Sequence, residues 1–308
     1  MLEYVIEEND SGRRIDRLLR RFLPCAPLSL IYSSIRKGLV RLNGKKVKAE
    51  NKTSLGDVLY LAESLESFKK EKITEHQKLH LNIILKTRDL LFINKKAGEI
   101  THGKGSVDEK VKKSFRIDSS LSFSVGALHR LDKDTTGVLS FSQSLKGASL
   151  FSKALMDGQI ERYYIGINEG RIKEGLLKLS SRDSKDEQKL ELTNSLLLEY
   201  SKKENLSLSF YRLVTGKKHQ IRRASQYFNT PLFCDNTYGS KRKDHPTYFL
   251  HSICLHFLKP IFNDIPSFVV ASIPTDFYNI IKMCFPLIHK KLKSDSLENV
   301  LREWIRLF

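Results

Sequence analysis

The chain has 308 residues, enough for one large or two modest domains, each with its own core. Its 53 Lys/Arg against 35 Asp/Glu give a formal net charge of +18, which points to a polyanion: nucleic acid first, an anionic membrane surface second. A hydrophobic content of 40% with 29% charged residues marks a soluble globular class. No apolar run has the length of a membrane span. The acidic start, residues 1–8, lacks the charged-then-apolar order of a signal peptide, so a cytosolic protein is expected. Cys25, Cys234, Cys254 and Cys284 form no C-x-x-C pair, which argues against a zinc knuckle or a redox pair.

Half of the net charge lies in residues 11–50, with eleven Lys/Arg against Asp16 and Glu50. Apolar residues keep a period there. Ile15, Leu18, Leu19 and Phe22 follow i, i+3, i+4, i+7 and predict an amphipathic helix over residues 13–23, broken by Pro24 and Pro27. Ser29 is expected to cap a second helix with Ile31 and Ile35 on its inner face, and Gly38 to end it. Residues 39–42 predict a strand, Asn43-Gly44 a tight hairpin turn and residues 45–47 the return; after Gly56-Asp57, residues 58–61 predict a last strand. Residues 63–80 are polar with mixed charge and predict a linker.

A second domain is expected from Leu81. Residues 82–85 and 90–94 predict strands joined by a turn at Thr87-Arg88-Asp89. The Gly- and Lys-rich stretch 95–106 does not fit the P-loop pattern, and a short helix is expected over 107–115. Two apolar runs, 123–128 and 138–141, read as buried strands on either side of His129-Arg130-Leu131-Asp132-Lys133-Asp134-Thr135-Thr136-Gly137. A loop pinned between core strands is a good place to fix a reactive side chain. A helix follows over 144–156, with Leu145, Ala148, Ser152 and Leu155 on one face, widened by Leu150, Phe151 and Ala154. Residues 162–167, 192–200, 206–213 and 249–257 predict strands, and the basic turn 215–223 opens a helix. Residues 231–240 are turn-rich, and the tail from Asp276 is helical in pattern.

The first part, with Arg14-Ile15-Asp16, Lys37-Gly38-x-Val40-Arg41-Leu42-Asn43-Gly44 and Gly56-Asp57, resembles the S4 RNA-binding domain. Its candidate RNA contacts are Arg13, Arg14, Arg17, Arg36, Lys37, Arg41 and Lys45. The second part resembles the RluA-type RNA pseudouridine synthases. Four segments carry the likeness: Asn94-Lys95-Lys96-Ala97-Gly98 with His102; His129-Arg130-Leu131-Asp132-x-x-Thr135-Thr136-Gly137; Arg162-x-Tyr164 with Gly170; and Gly216-Lys217-x-His219-Gln220-Ile221-Arg222. The S4-like start and the His102-Gly103-x-Gly105 loop look most like the branch acting on large-subunit ribosomal RNA. Lys96, Thr136, Lys218 and Arg162 stand where the family usually has Pro, Ser, Thr and Lys.

The resemblance implies an isomerase that moves uracil from an N1 to a C5 glycosidic bond. Such a reaction has no redox change and needs no cofactor or metal. It implies Asp132 as the reactive carboxylate, Arg222 as its guanidinium partner and Tyr164 as the aromatic against the uracil. Arg130, His129, His219, Gln220, His102 and Lys95 are the candidates to meet the substrate. The implied fold is α+β: an S4-like helix-plus-hairpin domain (1–62), a linker (63–80), a catalytic domain with a central mixed, mainly antiparallel sheet flanked by helices (81–280), and a C-terminal helical extension (281–308). The partner is ribosomal RNA or a ribosomal assembly intermediate, and the protein is expected to be a monomer without membrane attachment. Two rivals have sequence support. Asp132-x-Asp134-x-Thr136 fits the D-x-D-x-T pattern of Mg²⁺-dependent haloacid-dehalogenase-like phosphatases, which need a later acidic pair such as Asp186-Glu187. The S4-like part alone would suit a non-catalytic ribosome-binding protein.

Overall fold

The protein is described by a computed structural model covering residues 1–69, 80–115, 120–180 and 190–308. The N-terminal unit pairs two helices, α1 (Ile15–Phe22) and α2 (Leu28–Lys37), with a four-stranded antiparallel sheet. Its strands are β1 (Leu2–Val5), β2 (Val40–Leu42), β3 (Lys45–Lys46) and β4 (Val58–Leu61), in the order β1-β4-β2-β3. The i, i+3, i+4 residues Ile15, Leu18 and Leu19 are fully buried against Ile31, Ile35, Val40, Leu59 and Leu61. Ser29 is not the cap of α2. The helix starts one residue earlier, behind Pro27, whose fixed φ and missing N–H suit a helix start without a side-chain cap. Gly38 ends α2 in the left-handed region at φ 72°, donating to Ile35 and Ser34 carbonyls. Asn43 and Gly44, at φ 50° and 74°, make the hairpin turn between β2 and β3.

Residues 63–68, expected in the linker, instead form a 3₁₀ turn whose buried Leu65 and half-buried Phe68 complete this core. A second 3₁₀ turn, Glu8–Asp10, docks the unit on the rest of the chain. The buried Asp10 carboxylate accepts from Leu121 N (2.7 Å), Ser122 N (2.9 Å) and the Ser120 and Ser122 hydroxyls. Asn9 Oδ1 accepts from Leu145 N at 2.9 Å.

The large unit is built on one mixed sheet, as expected for an α+β fold. Its strands are β5 (Ile83–Lys86), β6 (Leu90–Lys95), β7 (Gly126–Ala127), β8 (Thr136–Ser142), β9 (Ile160–Glu169), β10 (Gly175–Ser180), β11 (Leu190–Ser201), β12 (Leu206–Leu213), β13 (Leu250–Phe257) and β14 (Phe268–Val270). The main path runs β10-β11-β12-β9-β13-β8-β6-β5, with β7 added at β8 and β14 at β13. Every pairing is antiparallel except β8 with β13, which meet through only His251↔Thr136 and Ser252↔Gly137. Helices α3 (Val107–Ser114), α4 (Leu145–Met156) and α5 (Gln220–Tyr227) flank the sheet. So do α6 (Thr275–Cys284), α7 (Pro286–Ser294) and α8 (Leu297–Ile305).

The period of two along β9 and β12 separates two environments. Tyr163, Ile165 and Ile167 join Leu206, Leu208 and Phe210 in a core closed by Phe285, Val300, Leu301 and Trp304 from the last three helices. Trp304 meets the Phe210 ring edge-on at 5.4 Å, so the C-terminal helical extension packs on the sheet of the large unit with Trp304 as its anchor. The alternate residues Tyr164 and Tyr211 face the other side, among Leu131, Ile221, Tyr248 and Leu250. Two expectations shift. Of residues 123–128 only Gly126–Ala127 pair as strand; the Ala127 amide bonds Asp108 Oδ1 (2.9 Å), while Phe123 and Val125 are buried outside any strand. Helix α4 buries Gly147, Phe151 and Ala154, whereas Ser152 is exposed, because Gly147 lies against the Asp89 carbonyl where a Cβ would not fit.

Gly137 is required where β8 meets β13. Its φ is +107°, and an added Cβ would stand 2.1 Å from Ser252 O. Gly137→Ala is expected to lower the unfolding free energy by roughly 3 kcal/mol or more in urea titrations, whereas Gly158→Ala, with open space around it, costs clearly less.

Candidate active site

Asp132 sits on the loop between β7 and β8, and the loop is braced from beneath. The Thr101 hydroxyl donates to Leu131 O (2.8 Å) and accepts from Leu131 N (3.1 Å). The Lys95 ammonium is 1% exposed and donates to the carbonyls of Lys96 (2.9 Å), Glu99 (2.8 Å) and Lys133 (2.8 Å). Burial lowers its pKa to about 8, with Glu99, Asp134 and Asp132 pulling the other way. All three of its donors are used, so Lys95 is a brace and not the substrate contact expected from the sequence. His129 is displaced from that role too. Its Nε2 accepts from Ser140 N (3.1 Å), its ring stacks on Phe151, and burial lowers its pKa to about 4.

Facing Asp132 is the first turn of α5. Arg222 Nη1 lies 4.0 Å from Asp132 Oδ2, and His219 Nε2 lies 3.5 Å from Asp132 Oδ1. The stronger partner of Arg222 is Asp235, 1% exposed, which takes Nε and Nη2 in a fork of 2.6 and 2.8 Å. The guanidinium is sandwiched between the rings of Tyr238 (4.5 Å) and Tyr248 (4.3 Å). Burial works against its charge, but Asp235, Tyr248 and Asp132 outweigh burial and raise the Arg222 pKa. Tyr248 Oη also meets Thr135 Oγ1 at 3.1 Å, tying this cage to the Asp132 loop.

His219 bridges the two sides. It takes a left-handed φ of 55° ahead of α5, and its Nδ1 lies 2.8 Å from Tyr238 Oη. Burial lowers its pKa against the pull of Asp132. A phenol donating to Nδ1 leaves the ring proton on Nε2, pointing at Asp132. Tyr164 comes from β9 and is 6% exposed; burial raises its phenol pKa above the ordinary value. Asp132, Arg222, His219 and Tyr164 line one cleft of about 300 Å³, together with Arg130, Arg162, Leu131, Thr135 and residues 216–218.

The other expected site residues divide. Arg130 lines the cleft and is exposed. Gln220 lines it as well, but its amide is spent on Leu192 O, Thr193 Oγ1, Thr215 Oγ1 and Lys217 N, so it shapes the loop. His102 lies outside the cleft lining, with Nδ1 3.7 Å from Asp108. In the N-terminal unit Arg17, Arg36, Lys37, Arg41 and Lys45 are exposed. Arg14 is held by Asp16 in a fork of 3.1 and 2.9 Å and is not a free cation, whereas Arg13 is half-buried with its Nε buried and unpartnered. Sequence reasoning missed Asp235, Tyr238 and Tyr248 as supports of Arg222. The one signal was Asp235-x-x-Tyr238-Gly239, which has the composition of an ordinary turn. The D-x-D-x-T alternative loses its context, since residues 128–131 are not a strand leading into Asp132; Asp186-Glu187 lie outside the described residues.

Residues 89–227 match the family model described as RNA pseudouridylate synthase. The "Ribosomal large subunit pseudouridine synthase C" of Vibrio vulnificus is 30% identical over 281 residues, covering 83% of this chain and 88% of the relative. The Haemophilus influenzae protein of the same name is 30% identical with 83% and 86% coverage. Among solved structures, the human RNA pseudouridylate synthase domain containing 4 superposes with a TM-score of 0.53 at 18% identity, covering 65% of this chain and 92% of that one. The human domain containing 1 gives 0.52 at 19%, covering 70% and 96%.

Two outcomes are expected. Asp235→Asn leaves the Arg222 charge buried without its counter-ion and should cost about 3 kcal/mol in urea unfolding. Burial also lowers the pKa of His251, to about 4. An unfolded imidazole titrates near 6.5. As pH falls below about 6.5 the unfolded chain therefore binds protons that His129 and His251 refuse, so stability should fall from there towards pH 4 and be unaffected by these groups above that window. Urea midpoints across that range measure it, and His251→Asn should flatten the slope.

Proposed function

The chain belongs to the RNA pseudouridylate synthase family and isomerises uridine to pseudouridine in RNA; on that premise we propose that its substrate is a uridine of large-subunit ribosomal RNA, free or in an assembly intermediate, and that Asp132 starts the reaction. One observation carries the assignment of roles: a carboxylate, a caged guanidinium and a buried tyrosine converge on one cleft although residues 132, 164 and 222 are far apart in sequence. The substrate follows the names of the relatives, both called large-subunit synthases.

The target nucleotide leaves its stack, at a cost of roughly a few kcal/mol, and its uracil enters against Tyr164. Asp132 attacks the sugar or the base, or takes a ribose proton, and the N1 glycosidic bond breaks. The uracil turns and C5 bonds to the ribose carbon as any bond formed to Asp132 breaks; the C5 hydrogen is then lost as a proton and N1 takes one up. Arg222 keeps Asp132 ionised and oriented, and the His219 Nε2–H steadies the other carboxylate oxygen. Arg130, at the cleft mouth, meets the displaced strand.

The N-terminal unit, residues 1–69, serves as the S4-like RNA grip, with Arg17, Arg36, Lys37, Arg41 and Lys45 as contacts. Its hairpin sets Arg41 directly opposite Lys46. A like-charged cross-strand pair is unfavourable in isolation and favourable under a phosphate backbone. The large unit, residues 80–308 with its C-terminal helices included, carries the chemistry.

The decisive measurement is tritium release from large-subunit ribosomal RNA labelled at uridine C5, with EDTA present. Wild type should release tritium, and Asp132→Asn should lose at least about 10³-fold in rate while still binding the RNA. No release by wild type from transcript, from precursor particles or from other RNAs would sink the substrate and the role of Asp132 together.

A further inference from the structure

Of the arginines lining the cleft, Arg130 is exposed to solvent and Arg222 has an acid, as do Arg212 and Arg223 just outside the lining. Arg212 pairs with Glu161 at 3.2 Å, Arg222 with Asp235 at 2.6 Å and Arg223 with Glu191 at 2.5 Å. Arg162 has none. Among the described residues its guanidinium makes no hydrogen bond and no ion pair, and its Nε is buried without a partner. Yet Arg162 is half-buried on β9 and lines the cleft. A guanidinium Nε–H buried without a partner is costly, and an anion supplied from outside would offset that cost.

The placement says which anion. Arg162 stands two residues from Tyr164 on one strand, so both project to the same sheet face, roughly 7 Å apart along it. That is the scale of the step from a pyrimidine ring to the phosphate of its own nucleotide. Gly216 supplies the floor. An added Cβ there would stand 2.6 Å from Arg162 Nη1 and 3.4 Å from its Cζ, so the guanidinium lies against the Gly216 backbone and would have to shift for any other residue. Lys217 and Lys218, exposed on the same loop, add positive potential, and Asp132 is the one carboxylate among the described lining residues.

We propose that Arg162 and Gly216 form a phosphodiester subsite that holds the backbone of the nucleotide whose uracil packs on Tyr164. This rests on the uridine-isomerase reading for the identity of the nucleotide, not for the phosphate contact itself. Losing a contact made equally before and during the reaction raises KM without lowering kcat.

The test uses the full chain and a large-subunit ribosomal RNA transcript, with Arg162→Gln, Arg162→Lys and Gly216→Ala beside wild type. Binding is followed across a salt series, and tritium release gives kcat and KM. Loss of one phosphate contact should reduce the slope of log affinity against log salt by about one and weaken binding about tenfold, with kcat nearly unchanged. Arg162→Lys should keep the slope, because it keeps the charge. Gly216→Ala should mimic Arg162→Gln, because its methyl group displaces the guanidinium. Thermal melts matching wild type would show that the variants are folded. An unchanged slope in Arg162→Gln would overturn the proposal, whether affinity is lost (a base or packing contact) or kept (no contact). Because the slope needs no turnover, it separates failure of this subsite from failure of the isomerase activity. In the latter case wild type releases no tritium, while the slopes still decide the phosphate contact.

Discussion

The buried pair between Arg222 and Asp235 is the fixed point of the cleft. Breaking such a pair strands a charge in low dielectric, whereas its net worth to stability is small. Its value is positional. The fork consumes Nε and Nη2 of Arg222, so the Nη1 edge is what remains for Asp132. Tyr238 and Tyr248 close on the two faces of the guanidinium, and each passes the restraint on. Tyr238 holds the His219 ring, and Tyr248 holds Thr135 on the Asp132 loop. An acid that reads as a turn former thereby orients both partners of the Asp132 carboxylate.

Strand alternation gives this arrangement its rigidity. Tyr163 and Tyr164 are neighbours in sequence and belong to opposite faces of the sheet. Tyr163 is locked into the apolar layer under Trp304, with its hydroxyl on Glu161 at 2.8 Å. Tyr164 is thus presented to the cleft by a strand that cannot rotate without tearing a core. The helices at the end of the chain act on the site through this layer, although none of their residues lines the cleft.

The sequence was most readable where local physics decides the outcome. The 3.6-period of α1, the left-handed Gly38, the Asn43-Gly44 turn and the alternating strands β9 and β12 could all be predicted residue by residue, whereas the meeting of Asp132, Tyr164 and Arg222 was implied only by the family resemblance. Where tertiary context decides, reading failed. Lys95, His129 and Gln220 are polar residues beside the site, and nothing in their identity tells whether their donors face a ligand or are consumed by carbonyls. The burial of Asp235 depends on a contact with Arg222, thirteen residues away in the chain. Strands β1 and β14, of four and three residues, are too short to leave a period. Helix α4 was turned because close approach to Asp89 needs Gly147, a constraint invisible to a count of apolar residues.

The single parallel junction of the sheet has a mechanical meaning. Two residue pairs of backbone ladder join the group β5 to β8 to the group β9 to β13, with side-chain bonds Thr135–Tyr248, Thr136–His251 and Asn94–Ser272 across the same line. Asp132 is carried by the first group; Tyr164, His219, Arg222 and Asp235 belong to the second. A slight opening along that line leaves the Arg222–Asp235 fork intact, because both ends travel together. The 4.0 Å gap between Arg222 and Asp132 changes at once. The Asp132–Arg222 spacing therefore behaves as a gauge of how tightly the two halves are shut, and the bonds of Tyr248 to Thr135 and of His251 to Thr136 are what set it.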